Sequence, residues 1–341
     1  MQWYDTLHNL IQHHLDTAID ATHARLIPDP VDTLVDNHDA HALSTPPTVD
    51  ALTHCARLLS TRCPACFGGA VFGWSFDEGA DIYVALDVTF SQRHSMHAGG
   101  SPHSYEPEFF IPKAQVDDCG QRIIAAHKKP PRPSCTPKVP AHIVDECEKS
   151  YEAVDKKKVK TSANQFNDTG VMALICCHDI PIFLANVDTP GEQQKYAITL
   201  LEHLFTFLPP NATIAALYDI GCVVDHSLEL VSTPIPHYNI LPVDIHQRLI
   251  FAISAMHAYG HQWAYQIIYN PHLRKGLRLT DGEGIKRLWL RLCKLISITC
   301  SSVVSTCKFQ LHHASHDCSR AHRAHKDLYD CMETVCALEE A

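Results

Sequence analysis

Apolar residues form short continuous runs in the middle of the chain, and two of these runs end in an aspartate. Residues 82–86 (Ile-Tyr-Val-Ala-Leu) lead into Asp87, and residues 213–218 (Thr-Ile-Ala-Ala-Leu-Tyr) lead into Asp219. Runs of this length and composition favour buried strands. Because an unpaired carboxylate is costly inside a core, we expect both aspartates to point into a cleft.

Turn residues next to these runs predict two hairpins. The first has an apolar segment at 70–74, a turn at 77–79 and the strand that ends at Asp87. The second joins 170–177 to 181–187 through a short turn. Both fit the pattern of strands bounded by Gly, Pro and Asp.

Helical spacing follows the second hairpin. Thr189 as N-cap, Pro190 at the first helical position and Glu192 at the third predict a helix start with a capping box. One face then repeats an apolar residue every four positions: Tyr196, Leu200, Leu204 and Leu208. Further helices are predicted at 245–270 and 281–305, and the second of these is amphipathic.

Glu283, near the start of the last helix, is the third acidic residue of interest. Two carboxylates from strand ends and one from a helix form the usual oxygen cage for two divalent cations in phosphoryl transfer. Simpler explanations exist, because strand-ending aspartates also cap turns and Thr280 and Glu283 have capping-box spacing. Spacing alone favours these simpler explanations.

Cys63 and Cys66 form a C-x₂-C pair, the commonest half-site for structural zinc. No second such pair follows, so other residues must complete a site. His257 and His261, spaced i, i+4 on a predicted helix, are the favoured partners. Two further candidates lie near the tip of the second hairpin: Cys176 and His178. Each residue can also be a buried thiol or a core histidine.

Composition indicates a globular protein in a reducing compartment. Hydrophobic residues make up 45% of the 341, and the mean hydropathy is −0.11. No apolar run approaches the ~20 residues of a membrane span, and the start lacks the pattern of a secretory signal. Fifteen cysteines without such a signal point to thiols and metal sites rather than disulfides.

The net charge of −10 argues against a protein whose whole surface grips DNA. The charge is unevenly distributed, because residues 1–50 contain eight Asp and residues 272–294 contain seven Lys or Arg. The second stretch is either a local basic face beside the three acids or an ordinary solvated face.

The segments around the three acids resemble the KDZ (Kyakuja–Dileera–Zisupton) transposases of the fungal type. Six segments carry the resemblance: 86–90, 168–179, 191–192, 218–222, 257–263 and 280–284. Each is weak alone, but six in series, with an acid at every catalytic position, are specific. The resemblance covers roughly residues 63–311.

The resemblance and the order of predicted elements imply an α/β fold with a ribonuclease-H-like core of the retroviral integrase type. We expect this core at 51–311, with a long insertion after the first strand (91–165) and a helical one before the last helix (225–275). An acidic helix and linker would precede it at 1–50, and a helical tail would follow at 312–341.

The resemblance further implies a DDE transposase that cleaves DNA and transfers strands. Asp87, Asp219 and Glu283 would hold Mg²⁺ or Mn²⁺, and similar transposases have zinc-binding Cys and His in comparable places. The partners would be transposon ends, target DNA and further copies of the chain, in the nucleus. The alternatives are a non-catalytic DNA- or protein-binding module with structural zinc, and an unrelated zinc protein.

The chain departs from the family pattern at several positions. Cys177 and His272 stand where Arg is usual, Tyr265 where Cys is usual, and Lys286 where Glu is usual; Cys300 and Cys307 also replace Arg. The sequence has 25 His and 15 Cys but only 13 Arg, as expected from deamination of CpG-containing Arg codons. We therefore expect a truncated or decayed copy that has lost bidentate phosphate contacts, with Lys286 competing against metal.

Overall fold

The structure, a computed structural model, describes residues 54–69, 71–98, 109–128, 138–139, 143, 165–231, 240–277, 280–299 and 311. All of these belong to the unit Ala51–Ala341. The predicted N-terminal helix and linker at 1–50, the tail at 312–341 and part of the predicted insertion at 91–165 lie outside the described residues. Among the described helices, none combines the length and apolar character needed to cross a bilayer.

A five-stranded mixed sheet forms the centre of the fold. The described strands are β1 Ile82–Thr89, β2 His94–Ser95, β3 Phe166–Asp168, β4 Gly170–Cys176, β5 Pro181–Val187, β6 Ile214–Tyr218 and β7 Leu249–Ala252. The main sheet has the order β5-β4-β1-β6-β7, and β2 pairs with β3 separately. β1 runs antiparallel to β4 and parallel to β6, β4 and β5 are antiparallel, and β6 and β7 are parallel.

Helices cover both faces of this sheet. The described α-helices are α1 Arg57–Arg62, α2 Pro64–Phe67, α3 Lys113–His127, α4 Gln194–Phe205, α5 Gly221–Val231, α6 Val243–Gln247, α7 Ala255–Ala258, α8 Trp263–Tyr269, α9 Gly284–Leu292 and α10 Ile296–Thr299. α3 packs on α4, and α9 packs on β1 and β4. The chain is thus a mixed α/β protein, as predicted.

The two faces of β4 explain its unbroken apolar run. Met172 and Leu174 belong to the core cluster that contains α4, whereas Ala173 and Ile175 belong to the cluster that contains α9. Successive side chains of a strand point to opposite faces, so a strand covered on both sides needs apolar residues throughout. The predicted hairpin of 170–177 and 181–187 is confirmed by the antiparallel pairing of β4 and β5.

The first predicted hairpin is wrong in one arm. Described residues 71–74 form no strand, because both edges of β1 are occupied by β4 and β6. The backbone N–H groups of Gly73 and Trp74 instead donate to the Asp81 carboxylate, at 2.9 and 3.2 Å. The Asp81 carboxylate therefore accepts hydrogen bonds from backbone N–H groups that have no partner strand in the sheet.

The start of the helix after β5 also differs from the prediction. α4 begins at Gln194 without a side-chain cap, because Gly191 has a φ of +81° and breaks the predicted first turn. Thr189 Oγ1 lies 2.8 Å from the hydroxyl of Tyr196 instead of capping the helix. The predicted apolar stripe is confirmed for Tyr196, Leu200 and Leu204, which are buried. Leu208 is also buried but follows the helix, which ends at Phe205.

The single helix predicted at 245–270 is wrong. Leu249–Ala252 form β7 beside β6, so the segment divides into α6, β7, α7 and α8. His257 lies in α7, but His261 follows that helix, and the two do not share a helical face. The predicted helix at 281–305 begins at Gly284 and continues as a 3₁₀ turn at Cys293–Leu295 and α10; its residues beyond 299 lie outside the described part.

The predicted insertion at 91–165 contains the 15-residue helix α3.

Candidate functional site

Asp87 and Asp219 lie side by side at the carboxyl ends of neighbouring parallel strands. β1 and β6 pair in register from Ile82 with Ile214 to Leu86 with Tyr218, so each aspartate occupies the next position. The two acids therefore lie at the same edge of the sheet, on adjacent strands. Asp87 is still within β1, whereas Asp219 directly follows β6.

The Asp87 carboxylate is held from α9 and from its own backbone. The indole Nε1 of Trp289 donates to Asp87 Oδ2 at 2.9 Å, and the N–H of Val88 donates to Oδ1 at 2.9 Å. Burial and the neighbouring Asp219 charge raise the pKa of Asp87. A carboxylate in this position gains from any cation that binds beside it.

Asp219 is surrounded by donors from the segment after β7. The hydroxyl of Ser254 donates to Oδ1, and the Nε2 of His257 lies 3.0 Å from Oδ2. Burial by itself raises the pKa of Asp219, but the bonds from His257 and Ser254 and the charge of Lys286 bring the net pKa below its usual value. The bond to Asp219 raises the pKa of His257 in turn.

Glu283 reaches the same end of the sheet by a tight approach of the chain to β6. Gly282 has a φ of +74°, and a Cβ there would stand 2.9 Å from the Cβ of Leu217. Glu283 Oε1 then accepts a hydrogen bond of 3.0 Å from the N–H of Met256, next to His257. The capping-box explanation is wrong, because α9 has no side-chain cap and Asp281 Oδ1 accepts from the N–H of Glu283.

Lys286 Nζ lies between the two aspartates. It is 3.4 Å from Asp219 Oδ2 and 4.0 Å from Asp87 Oδ2, so these oxygens are no further apart than the sum of those distances. It also lies 3.4 Å from His257 Nε2. The ammonium group thus occupies the position where a cation shared by both carboxylates would bind.

This donor set fits hard divalent cations. Mg²⁺ and Mn²⁺ prefer carboxylate oxygens, and Asp87 and Asp219 present two of them toward one common point. The carboxylate of Glu283 lies at the same end of the sheet, where it accepts a hydrogen bond from the backbone of α7.

A second cluster combines three thiols and an imidazole: Cys63, Cys66, Cys176 and His178. Their donor atoms all lie within 4.8 Å of one another. Cys66 Sγ is 3.1 Å and Cys63 Sγ 3.6 Å from His178 Nδ1. Cys63 stands between α1 and α2, Cys176 ends β4, and His178 lies in the β4–β5 turn.

Three sulfurs and one imidazole nitrogen are a common tetrahedral donor set for structural zinc. Hydrogen bonds from Cys176 and Cys66 lower the pKa of the Cys63 thiol, whereas bonds within the same cluster raise the pKa of Cys66 and of Cys176. Cys63 is therefore the first thiolate of the cluster, and a bound metal would displace the protons of the other two thiols. The cluster therefore fits a soft metal ion such as Zn²⁺, while the carboxylate site fits a hard one.

The structure brings the Cys63–Cys66 pair to Cys176 and His178 rather than to the favoured His257 and His261. His257 contacts Asp219 instead, because β7 interrupts the helix that was expected to present both histidines on one face. Cys177, noted only as a replacement for Arg, adds a fifth donor next to the cluster, with its Sγ 3.6 Å from that of Cys66.

Sequence reasoning missed several residues of the carboxylate site. Ser254 and Trp289 contact the two aspartates directly, and neither belongs to a sequence pattern that predicts such a contact. The only available signal for Trp289 was its place in an amphipathic helix, and this position predicts packing rather than a hydrogen bond to Asp87.

Together, the mixed sheet, the paired aspartates and the separate thiol cluster define an α/β protein with two candidate metal sites. The family model described as KDZ, the Kyakuja-Dileera-Zisupton transposase, matches residues 80–318. The chain belongs to this family, and the resemblance seen in the sequence is confirmed. No curated protein and no solved structure matches the chain. The matched region includes Asp87, Asp219 and Glu283 but begins after Cys63 and Cys66.

Proposed function

We propose that the chain is a DDE transposase catalytic domain, in which Asp87, Asp219 and Glu283 hold Mg²⁺ or Mn²⁺ for the cleavage of DNA phosphodiesters. The observation that carries the proposal is the juxtaposition of Asp87 and Asp219 on neighbouring parallel strands, with the ammonium group of Lys286 between their carboxylates. The partners would be transposon ends and target DNA, in the nucleus, with further copies of the chain.

The strand order supports a ribonuclease-H-like core. Three antiparallel strands in the order β5-β4-β1 are followed by two parallel ones, β6 and β7. Along the chain, Asp87 lies in β1, Asp219 directly follows β6, and Glu283 directly precedes α9. The helix α9 packs on a face of the sheet. This is the order that the family resemblance implies for such a core.

The bound cations would supply an activated water or 3′-hydroxyl and stabilise the leaving oxygen. The protein's own residues hold and orient the cage. Trp289 fixes the rotation of the Asp87 carboxylate, and Ser254 and His257 fix that of Asp219. Side chains preorganised in this way reduce the reorganisation that the reaction would otherwise require.

Lys286 and the replaced arginines point to weak activity. The Lys286 ammonium competes with a metal ion for both aspartates. Cys177 and His272 are exposed positions where the family has Arg, and neither can form the bidentate contact with phosphate that Arg provides. We infer that the chain binds divalent metal with weak or no strand cleavage.

The second candidate function is a non-catalytic module derived from a transposase, with structural zinc. The cluster of Cys63, Cys66, Cys176 and His178 favours it, because such a site stabilises a fold without any chemistry at the carboxylates.

A nicking assay on supercoiled DNA with Mn²⁺ tests the first proposal. Restoring Arg at positions 177, 272 and 300 and Glu at 286 should yield nicking activity, and adding Asp219→Asn to that variant should abolish it. Strong cleavage by the unmodified chain would contradict the interpretation as a decayed copy. If neither the unmodified chain nor the variant with the restored residues gains thermal stability from Mn²⁺, the carboxylate site itself is wrongly assigned.

A further inference from the structure

A bidentate ion pair joins the two candidate metal sites. Arg287 on α9 donates from Nε to Asp179 Oδ2 at 2.5 Å and from Nη2 to Oδ1 at 2.8 Å. Asp179 directly follows the cluster residue His178, and Arg287 directly follows Lys286. The pair therefore connects the β4–β5 turn to the helix whose first turn faces the carboxylate site.

The backbone conformation of Asp179 and the absence of a side chain at Gly284 allow the contact between Asp179 and α9. Asp179 has a φ of +62°, a region where Asp and Asn are among the few tolerated residues other than Gly. Its carboxylate lies so close to the backbone of Gly284 that a Cβ there would overlap Oδ1. The N–H of Asp179 donates to the carbonyl of Cys176 at 3.1 Å, which ties the turn to a cluster residue.

At the other end, α9 reaches the carboxylates through Trp289, which donates to Asp87. α9 begins immediately after Glu283, and all nine of its residues form one helix. A shift of the whole helix therefore moves Glu283 and Trp289 together. An ion pair with an exposed arginine adds little stability, so the value of this one lies in its fixed geometry.

We propose that Asp179 and Arg287 are positioning residues that couple the thiol cluster to the carboxylate site. Metal bound by Cys63, Cys66, Cys176 and His178 fixes the position of the β4–β5 turn. The ion pair between Asp179 and Arg287 then fixes the start of α9 relative to that turn. The inference rests on the proposed function in so far as Glu283 serves the carboxylate site; the coupling itself is measurable without any catalysis.

Zinc titration of the metal-free full chain, followed by Trp289 fluorescence, tests the coupling. The Trp289 signal is the difference between the parent and Trp289→Phe. One equivalent of Zn²⁺, counted with a colorimetric chelator, should change this signal in the parent. Asp179→Asn keeps the size of the side chain and tolerates the positive φ, so it should bind one zinc while losing most of the signal change.

Arg287→Lys should retain part of the change, because a lysine keeps the charge but not the bidentate contact. Glu202→Gln is the matched control, since it breaks the ion pair of Arg122 with Glu202 between α3 and α4 and should behave as the parent does. A full signal change in Asp179→Asn would overturn the inference. So would a parent that binds zinc with no change at Trp289.

Failure of the proposed catalytic function shows itself separately. In that case Mn²⁺ would not bind at the carboxylates, whereas the response of Trp289 to zinc would persist.

Discussion

Among individual residues, Lys286 bears directly on what the carboxylate site can bind. Its ammonium lies near oxygens of both Asp87 and Asp219, at a position where the resemblance implies Glu. The ammonium therefore places a competing positive charge where a divalent cation shared by the two carboxylates would bind. The remaining carboxylates keep their positions because Trp289, Ser254 and His257 hold them.

Lys286→Glu should raise the affinity for Mn²⁺ by at least about tenfold, or about 1.4 kcal/mol. The reason is that it removes the internal cation and supplies a further oxygen ligand. Titration followed by the Mn²⁺ electron paramagnetic resonance signal measures this change. Lys294→Glu, which has the same charge change on an exposed 3₁₀ turn of the same segment, is the control. Equal effects in both variants would show that only net charge matters.

His257 should make stability depend on pH. Its pKa in the folded protein is raised above the ordinary 6.5 by Asp219, so its stabilising effect is complete below pH 6.5 and is lost as the pH rises through the folded value. In buffer without Mg²⁺ or Mn²⁺, His257→Gln should lower Tm at pH 5.5 and much less at pH 9.

The expected loss is about 1 kcal/mol or less, because the imidazole is partly exposed and screened. Thermal melts at both pH values test this, with substitution of the exposed His97 as the control. A loss of equal size at both pH values would mean that the histidine contributes by packing rather than by charge.

The sequence was sufficient to find residues that follow a strong apolar pattern. Asp87 and Asp219 each come after such a run, and parallel pairing brings them together. Ser254 could not be found, because it contacts Asp219 only after β7 pairs with β6, a contact across 35 positions of the chain. Cys176 and His178 were candidates, but their partnership with Cys63 depends on the tertiary path of α1 and α2.

At the level of elements, the decisive contact is between the β4–β5 turn and the start of α9. The turn places Cys176 and His178 on one side and Asp179 against the helix on the other. The close approach requires Gly284, since any side chain at that position would enter the space of the Asp179 carboxylate. The hairpin and the helix therefore depend on each other for their relative placement.

Gly284→Ala should destabilise the protein by roughly 1–3 kcal/mol, as expected when a methyl group is forced into a filled space. Urea unfolding measures the difference. Gly120→Ala in the middle of α3 is the control, because the nearest atom to its added Cβ is Lys195 Cδ at 3.2 Å, on a flexible side chain. Alanine is also the better helix former, so the control should be neutral or slightly stabilising. Similar losses in both would argue against the special fit at Gly284.

Elements were predictable where one period persisted along the chain. The β4–β5 hairpin and the apolar stripe of α4 follow from local patterns. β7 was missed because Leu249–Ala252 is a short apolar run, which a buried helix and a strand share. Pairing with β6 makes this run a strand rather than a helix, and the local sequence does not reveal that pairing.

For the whole molecule, the thiol cluster links the segment before the sheet to the sheet itself. Cys63 and Cys66 belong to α1, α2 and their junction, while Cys176 and His178 belong to the β4–β5 hairpin. Metal bound there would cross-link residues more than a hundred positions apart, as the contact of Cys63 with His178 across 115 positions shows. Because these four donors come together only in the folded chain, the free energy of metal binding adds to the stability of the fold.

Removal of zinc should therefore lower Tm. Zinc at about a thousand times its Kd adds about 4 kcal/mol of stability, which corresponds to roughly 7 °C for a unit that spans residues 51–341. Thermal melts with and without added Zn²⁺ measure the shift. Cys176→Ser should abolish the shift, and Cys293→Ser, at an exposed thiol outside the cluster, should leave it unchanged. A shift that survives Cys176→Ser would place the metal elsewhere.

The distance along the chain between β1 and β6 has a consequence for how the protein folds. Their pairing begins beside Asp81 and Thr213, which hydrogen-bond across 132 positions, whereas β4 and β5 are joined by a short turn. Because long loops close slowly, the hairpin should form early and the β1–β6 contact late. A newly synthesised chain then passes through a stage in which β1 has a free edge. At high concentration, that edge is where one unfinished chain would pair with another.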